Sequence, residues 1–335
     1  MIGHRGKDFE ELYASIQPGL KQILGTERPV YLSTSSAWGV MEGAIRNLVQ
    51  TKVLNLCCGA FSDKWFDVAQ RCGKQAEKIQ VEWGEAIDPA AVREKLNEGG
   101  FDTVTLVHNE TSTGVMNDLA SIASVVNEFG DVLLVVDTVS SLSAVPVEMD
   151  KLGIDVVLAG VQKALALPPG LAVCAISENA LERAGSTEGR GYYFDFLEFE
   201  KNAAKNNTPS TPAISLLYAL RQKVDSILEE GLENRYARHA QLNSMIHAWM
   251  EKHGFKNFAP EGYQSKSLTA IDNTDERLDV PAFIKALRAK HNVLINGGYG
   301  KIKGITFRIS KMGNETVETI EQLINQLDDV ISEFI

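Results

Sequence analysis

Five short apolar runs recur through the first two-thirds of the chain: TKVLNLC (51–57), FDTVTLVH (101–108), DVLLVVD (131–137), DVVLAG (155–160) and LAVCAIS (171–177). Several are apolar at consecutive positions instead of alternate ones. A strand of that kind must be covered on both faces, and helices are the usual cover. Helix-like stretches fill the gaps: GVMEGAIRNLV (39–49), KWFDVAQRCG (64–73), PAAVREKLNEG (89–99) and LASIASVVNEF (119–129). This alternation predicts an α/β fold around a mostly parallel sheet.

After Thr208 the texture changes. Residues 212–254 keep helical periodicity over a span too long for one ordinary helix, and EEGLEN (229–234) predicts a break at Gly231. SLTAIDN, DVPAFIKALRAKHN, GITFRIS and NETVETIEQLINQLDDVISEF follow, the makings of a small α+β unit. At 335 residues the chain is too long for one minimal core. A large domain over 1–238 and a small C-terminal α+β domain over 239–335 are expected.

A net charge of −11, with no Lys/Arg-rich block, argues against nucleic acid or an anionic membrane as partner. No apolar run approaches the ~18 residues of a membrane helix, and MIGHRGKDFEELY lacks the apolar core of a signal peptide. Cys57, Cys58, Cys72 and Cys174 have neither zinc-ligand spacing nor the density of a disulfide scaffold. A reducing cytoplasm and no metal site are expected.

The chemistry begins with VLAGVQKALALPPG (157–170), whose one charged side chain is Lys163. An amine is costly to bury unless something compensates it. Asp137 closes another apolar run, and in doubly wound sheets the carboxyl ends of strands face the ligand crevice. Each has a plainer reading, Asp137 as a turn or cap residue and Lys163 as a surface amine lying along its own stem. Placed on one rim, an acid and a sequestered amine suit pyridoxal phosphate (PLP), with the lysine bonded to the cofactor aldehyde and the carboxylate keeping the ring nitrogen protonated. STSSAWGVMEGAIRNL reads as strand end, small-residue turn and helix, and puts Ser36, Ala37 and Trp38 where N–H groups would cradle a phosphate. The same string also serves as ordinary helix capping. Thr111, in HNETSTG, is within reach of a cofactor oxygen or belongs to a Ser/Thr turn.

Together MIGHRGKDF, STSSAWGVMEGA, HNETSTGVMNDL, VVDTVSSLSAVPVEMDKLGIDVVLAGVQKALALPPGLA, NTPSTPAISLLYALRQ and FRISKMG resemble the class V aminotransferases of PLP fold type I, especially the alanine–glyoxylate and serine–pyruvate group. The strings lie in order over nearly the whole chain. The resemblance implies a large domain with a mostly parallel, seven-stranded type of sheet between helices, and residues 1–25 packed on a partner subunit or the small domain. It makes Lys163 the Schiff-base lysine, Asp137 the pyridinium partner, Gln162 a phosphate contact, and Ser36, Ala37 and Trp38 the phosphate turn. Thr111 then stands near the ring oxygen, with Val139 on one ring face and Phe61 stacked on the other. Asn207 and Thr208 match a stretch that a neighbouring subunit lends, which implies a homodimer with shared sites. Arg308 falls where the family holds the substrate carboxylate, a task suited to a bidentate guanidinium. Trp65, near Phe61, is expected on a buried helix face.

The implied reaction is ping-pong amino transfer, with alanine or serine as donor and glyoxylate or pyruvate as acceptor. Two departures stand out. Family members commonly begin with a further segment lining the substrate entrance, so either this chain is a truncation or its entrance is built differently. Trp38 occupies a place where relatives carry a smaller or imidazole side chain. A cysteine-desulfurase-like PLP lyase on the same scaffold would place a histidine before the lysine and a cysteine in a C-terminal loop. Here Gln162 precedes Lys163 and no cysteine follows Cys174. A PLP-binding protein without catalysis is the remaining alternative. A dehydrogenase would need a GxGxxG turn after the first strand, and there is none.

Overall fold

The computed structural model describes residues 2–335. Helix α1 (Lys7–Leu24) leads to β1 (Val30–Ser33), after which α2 (Ala37–Leu48), β2 (Lys52–Cys57), α3 (Ala60–Arg71), β3 (Gln75–Gln80), α4 (Pro89–Asn97) and β4 (Thr103–Val107) alternate. A small hairpin, β5 (Asn109–Glu110) and β6 (Val115–Met116), precedes α5 (Leu119–Asn127). Strands β7 (Leu133–Asp137), β8 (Val156–Gly160) and β9 (Ala172–Ile176) follow. The seven-stranded sheet has the order β1-β9-β8-β7-β4-β2-β3. Pairing is parallel except along β9, which is antiparallel to both neighbours. Every residue of β4, β7, β8 and β9 is buried, which is why these strands read as unbroken apolar runs. Strand β3, QAEKIQ, sits at the sheet edge with no buried residue and carries no apolar signal.

Helices α6 (Glu178–Ser186), α7 (Phe196–Ala203) and α8 (Ile214–Glu230) complete the large unit. Gly231, at φ 82° and ψ 135°, separates α8 from α9 (Leu232–Lys252), the break that EEGLEN predicts. Beyond it, β10 (Lys256–Asn257), β11 (Leu268–Asp272), α10 (Val280–His291), β12 (Asn296–Gly297), β13 (Thr306–Ser310) and α11 (Val317–Ile331) form the C-terminal unit. Its antiparallel sheet has the order β10-β11-β13-β12. One apolar cluster runs from Phe9 to Ile227 and takes in Ala259, and a second runs from Leu242 to Ile331. Helix α9 belongs to both, with Leu232 against the first and Leu242, Ile246 and Trp249 in the second.

Helix α1 buries its apolar face on the large unit of its own chain. Phe9, Leu12, Tyr13, Ile16 and Leu20 are buried in the large cluster, with α8 and β1 as neighbours. Gln17 closes the open edge of β1, since its side-chain amide donates to the Val30 carbonyl (2.8 Å) and its oxygen accepts from the Val30 N–H (2.9 Å). Gly19 permits the α1–α8 approach, because a Cβ there would stand 2.1 Å from Val224 Cγ1. Among the described residues no helix is long and apolar enough to cross a membrane, and no group of three or more His, Cys, Asp or Glu could hold a metal.

This packing gives a paired test. Gly19→Ala should cost about 1–3 kcal/mol by forcing the two helices apart. Gly185→Ala, on α6 with nothing within 4 Å of the new Cβ, should stabilise by about 0.5–1 kcal/mol. Urea unfolding of both variants checks the pair, and equal shifts would contradict the close α1–α8 contact.

Candidate active site

Asp137 ends β7, and its partner in β8 is Leu158. Two residues further along β8, Gly160 closes that strand and the chain turns outward through Val161 and Gln162 to Lys163. A Cβ on Gly160 would fall 2.5 Å from the Gln162 amide oxygen, so glycine makes room for that side chain. A tight turn follows, with the Ala166 N–H donating to the Lys163 carbonyl (2.8 Å) and Ala166 held in the left-handed region at φ 53°. Asp137 and Lys163 therefore rise from adjacent parallel strands at the same end of the sheet, as their placement after two apolar runs predicts.

Burial acts on the two in opposite directions. Asp137 is 6% exposed. Its Oδ1 accepts from the Val139 N–H (2.7 Å), and its other oxygen has no hydrogen bond within the chain. Desolvation is the largest effect on its carboxyl, and with Glu110 nearby it outweighs the Val139 N–H and Lys163, raising the group to about 7. Lys163 has no ion pair and no side-chain hydrogen bond among the described residues. Its amine is pulled below the ordinary lysine value, first by burial and then by Arg308, with Asp137 opposing. Burial thus raises the acid and lowers the amine beside the same cavity.

That cavity, of about 510 Å3, is lined by Phe61, Thr111, Gln162, Lys163, Tyr299 and Arg308, among others. Phe61 is placed by the start of α3. Its N–H and that of Ser62 donate to the buried Glu110 carboxylate at 3.2 and 3.0 Å, and Ser112 Oγ donates to the same group at 2.6 Å. An acid at a helix N-terminus also complements the helix dipole. Gly59 lets Glu110 come this close, because a Cβ there would meet Glu110 Cγ at 2.3 Å. The Thr111 hydroxyl shares a 2.5 Å hydrogen bond with Ser140 Oγ, and its carbonyl accepts from Arg308 Nη1 at 2.9 Å. Arg308, on β13, also donates from Nε to the Gly297 carbonyl (3.2 Å) and meets no carboxylate. Both bonds go to neutral carbonyls, so the guanidinium keeps its charge and spare donors for an anion.

Five of the twelve residues singled out from sequence thus line one cavity; Asp137 is near enough to Lys163 and Glu110 to feel their charge, and Val139 donates its N–H to Asp137. Ser36 caps α2 without using its hydroxyl, and Ala37 opens that helix; the Gly39 N–H donates to the Ser36 carbonyl (3.0 Å), while those of Ala37 and Trp38 have no partner among the described residues. The turn is braced from outside by the Tyr193 hydroxyl on the Thr34 carbonyl (3.0 Å) and by the Ala213 N–H on Thr34 Oγ1 (3.2 Å). Trp38 packs half-buried on the large cluster. Asn207 and Thr208 are not among the residues lining the cavity of their own chain; the Thr208 hydroxyl donates to the Ser210 carbonyl (2.8 Å). Trp65 is buried and its indole N–H donates to the Met41 carbonyl, the helix-face role expected of it.

Several site residues went unread in the sequence. Tyr299, Asn296 and Ser310 reach the cavity from the small unit. The Tyr299 ring stacks on Phe61 at 5.7 Å between centroids and 22° between planes. The only local trace of it is an aromatic in the glycine-rich string GGYGK. Glu110 was hidden among the polar residues of its turn.

The residues present suit PLP. A buried carboxylate oxygen without a partner fits a protonated ring nitrogen, an unpaired amine fits an aldehyde, and Phe61 offers an aromatic face.

Comparison with known proteins agrees. Residues 33–323 match the model of the family described as aminotransferase class-V. The chain is 38% identical over 318 residues to an uncharacterized aminotransferase of Methanocaldococcus jannaschii, covering 93% of this chain and 82% of that one. It is 34% identical over 325 residues to a serine–glyoxylate aminotransferase of Methylorubrum extorquens, covering 93% and 80%. A crystal structure of an alanine–glyoxylate aminotransferase from Nostoc sp. superposes with a TM-score of 0.93 at 31% identity, covering 98% of this chain and 89% of that one.

The raised Asp137 carboxyl has a consequence for stability. A group whose folded value lies above its unfolded one favours the fold fully at low pH and loses that contribution as pH rises toward the folded value, here between about 4 and about 7. Asp137→Asn keeps the acceptor for the Val139 N–H and removes the ionisation. Free of cofactor, it should unfold at higher denaturant than the parent at pH 8, by on the order of a few kcal/mol, with the gap closing near pH 4. A gap independent of pH would contradict the buried-carboxylate reading.

Proposed function

The chain belongs to the class V aminotransferase family, and from that premise we propose that it holds pyridoxal 5′-phosphate on Lys163 and moves the amino group of alanine or serine to glyoxylate or pyruvate in a ping-pong sequence. The observation that carries this reading is a half-buried lysine, unpaired among the described residues, sharing one cavity with an arginine that meets no carboxylate among them. PLP, when bound, supplies an aldehyde for an amine and a cationic ring that draws off the electron pair left when Cα loses its proton.

The chain's own groups do the rest. Asp137, beside a protonated ring nitrogen, becomes the stable anion, because a neighbouring cation lowers a carboxyl that burial alone had raised. Ser36, Ala37, Trp38 and Gln162 hold the phosphate, joined by Asn207 and Thr208 from a second copy, so the working unit is a homodimer. Phe61 and Val139 bracket the ring, and Thr111 meets its oxygen. Arg308 takes the α-carboxylate of the donor and thereby points Cα toward Lys163. Lys163 Nζ takes the Cα proton and returns it at the next carbon, general acid–base work for which a lowered amine is suited. One guanidinium lines the cavity, which favours monocarboxylic substrates over aspartate, whose second carboxylate would have no fork to meet. Four free thiols, three of them buried, suit a reducing compartment such as the cytoplasm.

The test is the absorbance of the PLP-loaded protein as donors are added one at a time. Alanine or serine should move the violet band to shorter wavelength, whereas aspartate and cysteine should leave it in place; no movement with any donor would overturn amino transfer. Arg308→Lys should keep the resting band and raise KM for every α-carboxylate donor by about 10-fold or more. Collapse of the resting band in that variant would make Arg308 a structural residue.

A further inference from the structure

Arg235, in the first turn of α9, is 2% exposed, yet it is not among the residues lining the cavity. A guanidinium so buried must be fully engaged, and its bonds go to three separate parts of the site. Nη2 donates to the Ala164 carbonyl at 2.7 Å, one residue past Lys163. Nε donates to the Ser143 carbonyl at 3.1 Å, in the turn that follows Asp137, where Ser143 itself sits at φ 64°. A longer bond from Nη2, 3.4 Å, reaches the Gly313 carbonyl on the segment leaving β13, which carries Arg308. Nη1 pairs with Glu230 Oε2 at 2.9 Å, and Arg238 grips the same carboxylate from the other side at 2.6 Å while also donating to Gly313 at 3.3 Å.

The three carbonyls belong to different bodies. Ala164 and Ser143 are on the sheet side, Gly313 is on the small unit, and α9 contributes to both apolar clusters. Where the two bodies meet there is no slack, since a Cβ on Gly313 would come within 2.8 Å of Ala166 Cβ. Lys163 must reach the Cα proton of the donor while Arg308 holds its carboxylate, and in an α-amino acid that carboxylate is bonded to the same carbon. The distance between Lys163 and Arg308 is therefore a quantity the fold must set; Arg308 meets the large unit through the Thr111 carbonyl, while the Lys163 side chain has no hydrogen-bond partner among the described residues.

We propose that Arg235, braced by Glu230, is a positioning residue that fixes the separation of Lys163 from Arg308 and so adapts the site to α-amino acids. This rests on the amino-transfer reading. A lysine at 235 keeps the charge but has no planar fork with which to serve three carbonyls and a carboxylate at once.

The test is a double-mutant cycle on the PLP-loaded enzyme with alanine, using Arg235→Lys, Arg308→Lys and both together. Arg235→Lys should keep its resting absorbance and lose up to about 10²-fold in kcat/KM, the scale of an ångström of misplacement. The double variant should lose little more than Arg308→Lys alone, because a misplaced grip costs nothing once the grip has gone. The half-reaction with ethylamine, which lacks the carboxylate, should be nearly unchanged in Arg235→Lys. Multiplying losses, or an equal loss with ethylamine, would reduce Arg235 to a general structural role and overturn the proposal. If Arg235→Lys does not fold, Glu230→Gln removes the brace alone and should give a smaller loss with the same non-additivity. A parent enzyme inert to every donor would instead sink the amino-transfer reading, a result distinct from failure of the cycle.

Discussion

Desolvation at the carboxyl end of the central strands governs this site. Five of the seven sheet strands are buried along their entire length, and Asp137 at the end of β7 is itself buried. In that setting a carboxylate and an ammonium are both disfavoured. The result is a pair rising from adjacent strands, Asp137 with its carboxyl raised and Lys163 with its amine lowered. A cofactor that is cationic at one end and electrophilic at the other relieves both at once. The binding site and the strain it relieves are thus one arrangement, and Asp137 makes the protein less stable alone so that it can be useful when loaded.

Around this pair the chain spends its other buried charges on geometry. Glu110 ties the start of α3 to the hairpin after β4 and so sets Phe61 and Thr111 with one carboxylate. Arg308 is oriented by the carbonyls of Thr111 and Gly297, one from each unit, which leaves its remaining donors aimed at an anion. Arg235 and Glu230 work on a longer scale, joining the loops that leave β7 and β8 to the segment that leaves β13. The apolar clusters decide that there are two bodies; these few ionic fastenings decide how their rims face one another.

How much of this can be read without coordinates depends on the kind of signal each part leaves. Buried strands and a lone lysine in an apolar string are local facts, so the sheet, Asp137 and Lys163 were legible from residue pattern. Phe61, Arg308 and the Asn207–Thr208 stretch carry no local mark and entered through resemblance to a family. Strand β3 escaped because an edge strand need not be apolar, and the cover that α1 gives to the large unit went unread because an amphipathic helix does not say which surface it covers. Tyr299 and Asn296 approach from the small unit, across a distance in sequence that no periodicity spans. Arg235 was hidden for a different reason: within LENRYARHA it looks like one more solvated charge, and burial alone sets it apart.

On the proposed function a single half-buried amine, Lys163, paired with no carboxylate among the described residues, carries the chemistry. Borohydride reduction of the PLP-loaded protein followed by peptide mass mapping tests this most directly, because reduction locks the cofactor to whichever amine it is bonded to. The expected result is one labelled peptide, with the added mass on Lys163. Label on another lysine, such as the fully buried Lys311, or no label in a protein that still binds PLP, would contradict it.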